Sequence, residues 1–188
     1  TYLAFPSRKN PKLLICSNSE KEIISSMGLY NPQVSRGKLL KFLYFFVILH
    51  FKFARRFFVI YNLSSKGVII DSLERKLKKK LSTAVYISTE KDKYVIKLFN
   101  NNKTYAYLKI PINTIGVSRI NNEILALKTL QKLNVINFYL DSDFYNKKPY
   151  LILKPLTPTN KVLTNIEFKG RTDNQTFKKK IKRIRKVF

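Results

Sequence analysis

Three features of this chain predict an α+β fold: a five-stranded antiparallel sheet with one packed helix, preceded by a mostly helical N-terminal segment. The hydrophobic period changes from helical to alternating near residue 82. Beyond that point come three strand-like runs, one helical run and two further strand-like runs, in that order. Apolar residues make up 45% of the 188, enough for a real core.

Residues 1–38 are mixed and turn-rich, with Pro6, Pro11, Gly28, Pro32 and Gly37, and they predict one short helix at 19–27 capped by Ser19. An aromatic helix over 38–60 follows. Its uncharged stretch, Phe42 to Phe51, is about ten residues against the roughly twenty that span a bilayer. It therefore reads either as a buried helix or as an interfacial one with Lys38, Lys41, Lys52, Arg55 and Arg56 at lipid headgroups. Residues 67–81 place Ile70, Leu73, Leu77 and Leu81 on one helical face.

Strands are predicted at 84–88, 94–99 and 103–110, the last two joined through Asn100-Asn-Asn102 and the last ended by Pro111, which has no amide hydrogen. From Ser118, a candidate N-cap, to Leu133 the helical period returns, with Ile120, Ile124, Leu127 and Leu130 on its apolar side. Residues 135–141 and 149–156 read as the last two strands. Residues 177–188 form a basic run, either helical or a frayed end, and more readily a solvated charge run than a binding patch. This divides the chain into a leader (1–81), a lobe (82–160) and a basic C-terminal segment (161–188), expected to begin a larger lobe. The chain opens on Thr1 rather than Met, so it is expected to be processed, trimmed or part of something longer.

Thirty-seven basic residues against eleven acidic ones give a formal charge of +26. That suits RNA, anionic lipid or an acidic partner. Lysine far outnumbers arginine, and Lys, Asn, Ile, Phe and Tyr are abundant together, the signature of drift in an AT-rich genome. Phosphate recognition selected for geometry would favour arginine forks. The single cysteine, Cys16, excludes an internal disulfide, and one histidine, His50, excludes a zinc constellation of the usual kind. With no secretory signal legible, a cytoplasmic location is expected, with attachment at the inner membrane face through 38–61 as an added reading.

The chemistry centres on Lys103-Thr-Tyr-Ala-Tyr-Leu-Lys109-Ile-Pro, on Asn121-Asn-Glu123-Ile-Leu-Ala-Leu-Lys-Thr-Leu130 and on Tyr150-Leu-Ile-Leu-Lys-Pro-Leu156. A lysine late on a third strand can reach nucleotide phosphates, and a glutamate on the next helix can hold it in place and charged. Over about residues 82–160 this pattern resembles the N-terminal lobe of the protein-kinase-like superfamily, and most the aminoglycoside phosphotransferase and choline kinase type. The resemblance implies that Lys109 contacts phosphates, that Glu123 pairs with Lys109, and that the backbone from Lys154 to Leu156 meets the base. It implies ATP or GTP with Mg2+ as cofactor of the full-length protein, and a small-molecule or glycan acceptor. The N-terminal segment, with Tyr2-Leu-Ala-Phe-Pro and Gly37-Lys-Leu-Leu-Lys, is similar to the leader of bacterial kinase-like proteins associated with cell-surface glycan synthesis.

The chain departs from that pattern in two ways. The loop Ser88-Thr-Glu-Lys-Asp-Lys93 has no glycine, where a phosphate-covering loop uses glycine to bring amides close. There is also no His-x-Asp loop and no Asp-Phe-Gly equivalent; His50 precedes the lobe and is followed by Phe-Lys-Phe. With neither catalytic base nor metal ligand, the chain alone is expected to be inactive. The alternative from another class is a basic RNA-binding or organellar ribosomal protein, its eleven Tyr and fourteen Phe serving as stacking surfaces.

Overall fold

The computed structural model describes residues 1–60, 68–100, 103–133 and 137–155. In chain order the elements are β1 (Tyr2–Phe5), β2 (Leu13–Cys16), α1 (Glu20–Met27), α2 (Ser35–His50), a 3-10 stretch (Lys52–Phe57), β3 (Val59–Ile60) and α3 (Val68–Leu77). Then follow β4 (Ser82–Ser88), a 3-10 turn (Thr89–Lys91), β5 (Lys93–Asn100), β6 (Lys103–Pro111), α4 (Thr114–Lys132), β7 (Tyr139–Tyr145) and β8 (Lys148–Leu153). The fold is α+β. All strands join one antiparallel sheet in the order β3-β1-β2-β4-β5-β6-β8-β7.

The sheet has eight strands rather than the five expected, because the N-terminal segment, besides its helices, supplies three short strands, β1, β2 and β3. Tyr2-Leu-Ala-Phe and Leu13-Leu-Ile-Cys are apolar runs of four, too short to display a period, and Pro6 and Pro11 between them read only as turn signals. Buried almost throughout, they pair with each other and extend the edge of β4. The aromatic helix stops at His50 rather than near residue 60. Phe51 leaves the helical region (φ −113°, ψ 86°), Arg55 Nε donates to the Ile48 carbonyl, and the chain turns back so that β3 can pair with β1.

Three further boundaries moved for identifiable reasons. The helix expected from Ser118 starts at Thr114, capped by Asn113, whose Oδ1 accepts from the Gly116 amide at 2.9 Å. The strand expected at 135–141 is β7, which begins at Tyr139 and uses Asp141, Ser142 and Asp143, residues that read as loop. They are largely exposed on the outermost strand, where charge discourages edge-to-edge association. The helix expected over 67–81 ends at Leu77, and Lys78, at φ 51°, turns the chain toward β4. The basic run at 177–188 lies outside the described residues.

Direct cross-strand partners run in one row across the sheet: Phe5, Leu13, Tyr86, Val95, Lys109, Leu151. Directly opposed residues point to the same face, so this row defines one side of the sheet. At its β1–β2 end Leu3, Phe5, Leu13 and Ile15 pack against Ile23 and Met27 of α1 and Tyr44 and Ile48 of α2. At the other end Leu151 and Leu153 pack against Ile120 and Leu127 of α4. The opposite side carries Leu98, Ala106, Leu108 and Ile152 under Ile69 of α3. Helices α1, α2 and α4 thus share a face, and α3 covers the other. Among the described residues no helix is long and apolar enough to cross a membrane.

Candidate functional site

Lys109 comes to the α4 face because β6 alternates: Ala106, Leu108 and Ile110 pack with the α3 side, and Tyr107 and Lys109 face the other way. Glu123 is fixed by the helical period. It lies three residues after Ile120 and four before Leu127, the two buried side chains of α4 that seat on Leu151 and Leu153. Burying each of those two is worth about 1.5–3 kcal/mol, so the stripe sets the rotation of the helix and aims Glu123 at the sheet.

The two predicted residues meet. Lys109 Nζ donates to Glu123 Oε1, and Lys93 Nζ at the start of β5 donates to Glu123 Oε2 at 2.8 Å. Lys93 was not singled out by the sequence, because it sits beside a turn in a polar stretch. The signal was the alternation Lys93, Val95, Lys97 along β5, which puts Lys93 on the same face as Val95, the partner of Lys109. The side chains are largely enclosed, 14% exposed for Lys93, 18% for Lys109 and 27% for Glu123.

One carboxylate shared by two ammonium groups leaves a local excess of positive charge. Burial pushes the Lys109 ammonium below the ordinary lysine value; the bond to Glu123 opposes this, and Lys93 and Lys91 add to it. For Glu123 burial opposes the charged form, but the hydrogen bonds from Lys109 and Lys93 outweigh it and hold the carboxyl below its usual value. The site therefore keeps its carboxylate ionised and presents cations at a partly open surface, an arrangement suited to an anion.

The glycine-free loop between β4 and β5 is tied to the start of α4 by side chains. Asp92, in the left-handed region at φ 52°, accepts from Asn113 Nδ2 at 2.9 Å and from Arg119 Nη1 at 2.8 Å. Arg119 Nη1 also donates to the Glu90 carbonyl at 2.9 Å, and the Ile112 amide donates to the Asp92 carbonyl at 2.8 Å. The glycine that matters here is in the helix: a Cβ on Gly116 would overlap the Asp92 carbonyl oxygen. This latch sets where β5 begins, and so where Lys93 stands.

The other predicted positions fall elsewhere. Lys154 has an exposed side chain, and its amide donates to the Phe138 carbonyl at 2.7 Å, so that amide already has a partner. It follows Leu153, the register partner of Tyr107, and is therefore beside the strand that carries Lys109. Leu156 lies outside the described residues. His50 is exposed on α2, stacked on Phe46, and Cys16 is buried with its thiol pushed upward by burial. Among the described residues no three His, Cys, Asp or Glu side chains gather as a metal site.

Comparison of the chain with protein-family models, with curated proteins and with solved structures finds no match.

Proposed function

We propose that the chain is the nucleotide-binding small lobe of a kinase-like small-molecule phosphotransferase. The observation that carries this reading is the contact of Lys109, late on the third strand of the β4–β5–β6 meander, with Glu123 on the very next helix. A phosphoryl-transfer site needs a positioned cation on the nucleotide phosphates, and a carboxylate behind it keeps that cation oriented. Lys109 is the phosphate contact, with Lys93 as a second cation on the same carboxylate. Val95 and Tyr107, half-buried on the same face, are the apolar neighbours available to a base.

The residues present fit the phosphates better than the metal. Two ammonium groups on one carboxylate attract a polyanion, and no acidic cluster among the described residues fits Mg2+. A bound nucleotide would supply the transferable phosphoryl group. The role read here for this chain's residues is to bind and orient it.

Isothermal titration calorimetry of the full chain with ATP or GTP and Mg2+ tests this. Saturable binding is expected, weakened about tenfold or more by Lys109→Met, with no hydrolysis by either protein. One charge of a formal +26 is a small share of the overall field, so a loss that large reports a site and not general attraction. Equal binding by wild type and Lys109→Met would overturn the reading. If binding also falls steeply with salt and polyuridine competes it away, the RNA-binding class takes its place.

A further inference from the structure

Helix α2 is uncharged from Phe42 to His50, yet only Tyr44 and Ile48 of its sixteen residues are fully buried. Those two, with Phe45 and Leu49 half-buried beside them, hold it to the sheet. Ile48 packs into the core of β1 and β2, and Tyr44 does the same while its hydroxyl donates to the Ala4 carbonyl at 3.0 Å. The outward side carries Leu39, Phe42, Leu43 and Phe46, and the 3-10 stretch continues it with Phe53 and Phe57, which are 66% and 69% exposed. Edge-to-face ring contacts run from Phe46 through Phe51 to Phe53, with centroids 6.4 and 6.0 Å apart, so these rings join the helix to the 3-10 stretch as one strip. An exposed apolar surface of this extent marks an interaction site.

Its charge identifies the occupant. Exposed Arg36 and Lys38 flank the patch at one end, and exposed Lys52 and Arg56 at the other. No Asp or Glu occurs between Glu22 and Asp71. A second copy of the chain would bring like charges together, since the one acidic contact the described residues show for this stretch, Glu20 at 3.8 Å from Arg55, is already paired. An anionic bilayer offers hydrocarbon for the rings and headgroup charge for the cations. Sixteen helical residues span about 24 Å, short of the roughly 30 Å of a hydrocarbon core, so the helix lies in the interface and does not cross it.

We infer that the outward face of α2 and the 3-10 stretch after it form a docking surface for an anionic membrane. The inference is independent of the nucleotide reading, since it rests on no residue of the Lys109 cluster.

Co-sedimentation of the full chain with vesicles of phosphatidylcholine, alone or mixed with phosphatidylglycerol, tests it. Binding to the mixed vesicles at low salt is expected, with little binding to phosphatidylcholine alone. Phe53→Ser with Phe57→Ser should weaken binding about tenfold or more, because affinity scales with inserted apolar area as well as charge. Both side chains are solvent-exposed, so circular dichroism and melting temperature should be unchanged. Lys52→Glu with Arg56→Glu should remove the preference for the anionic lipid. Failure of the wild type to bind the mixed vesicles at low salt overturns the inference. Equal binding by the Phe53/Phe57 variant does so too, since net charge alone would then explain the association. A dimer in sedimentation velocity that the same variant dissociates would assign the face to a second copy instead.

Discussion

Lys97 and Lys109 stand on the same face of the sheet, one on β5 and one on β6, and they are held in opposite ways. Lys97, 8% exposed, donates to the Ser25 carbonyl at 2.7 Å and to Ser25 Oγ at 3.1 Å, near the end of α1, with its ammonium over the Phe99 ring. Its partners are neutral, and burial pushes its pKa down. The carbonyls of a helix's last turn have no intrahelical donor and carry partial negative charge, so Lys97 closes a helix end. Lys109 meets a full carboxylate that a second lysine also touches, at a surface left partly open. A buried lysine is thus a structural cap where only neutral helix-end groups receive it, and a candidate anion contact where it shares a carboxylate with a second, partly exposed lysine.

The largest effect is expected at the paired end. Glu123→Gln leaves two ammonium groups facing a neutral amide and should cost about 2–4 kcal/mol in urea denaturation, somewhat below the cost of breaking a fully buried pair. The pH dependence follows from the depressed carboxyl. Between its folded value and its higher unfolded value the unfolded chain binds more protons, so stability rises with pH in that window. The contribution is complete above the ordinary glutamate range and is lost as pH falls through the depressed value. Stability measured from pH 7 down to pH 3 should therefore decline more for wild type than for Glu123→Gln. Parallel curves would mean the carboxylate is not held by the lysines.

Gly116→Ala comes next. It leaves every charge in place and pushes a methyl group against the Asp92 carbonyl, so the latch must shift. A cost of about 1–3 kcal/mol is expected, with a change at Lys93 seen by amide and side-chain NMR. If chemical shifts of Lys93 and Asp92 stay unchanged, the loop is not what sets the second cation.

How far the sequence exposes this comparison depends on what each pattern encodes. Period-two alternation in β6 and the 3.6 period of α4 each fix a face, but it was the resemblance to a kinase-like lobe, and not either period, that put Lys109 opposite Glu123. Nothing local says what covers a strand. Lys97, in Tyr94-Val-Ile-Lys-Leu-Phe, occupies the position of an ordinary solvent-side lysine, and it is buried because α1 folds over it from a segment that read as turn-rich. The strand count failed for the same reason: four-residue apolar runs acquire an identity only when β4 offers an edge. In α2 the uncharged stretch favoured a buried helix over an interfacial one. In the structure Tyr44 and Ile48 reach the sheet core with Phe45 and Leu49 half-buried beside them, while Leu39, Phe42, Leu43 and Phe46 stay exposed.

The smallest effect, and the sharpest test of the contrast, is Lys97→Met. The thioether fills similar space but leaves the Ser25 carbonyl without this donor, while the cost of burying an ammonium disappears. These terms oppose, and a net loss of about 1 kcal/mol at pH 7 is expected. In wild type the lowered ammonium means that, between its folded value and the ordinary 10.5, the unfolded chain binds more protons and stability rises with pH. The variant has no such gain, so its deficit should widen as pH climbs toward 10.5; the buried tyrosines are common to both proteins and cancel in the difference. Nucleotide binding should be unchanged, in contrast to Lys109→Met. A loss of nucleotide affinity in Lys97→Met equal to that in Lys109→Met, with the fold intact, would mean that the two lysines do one job and that the distinction between cap and contact is wrong.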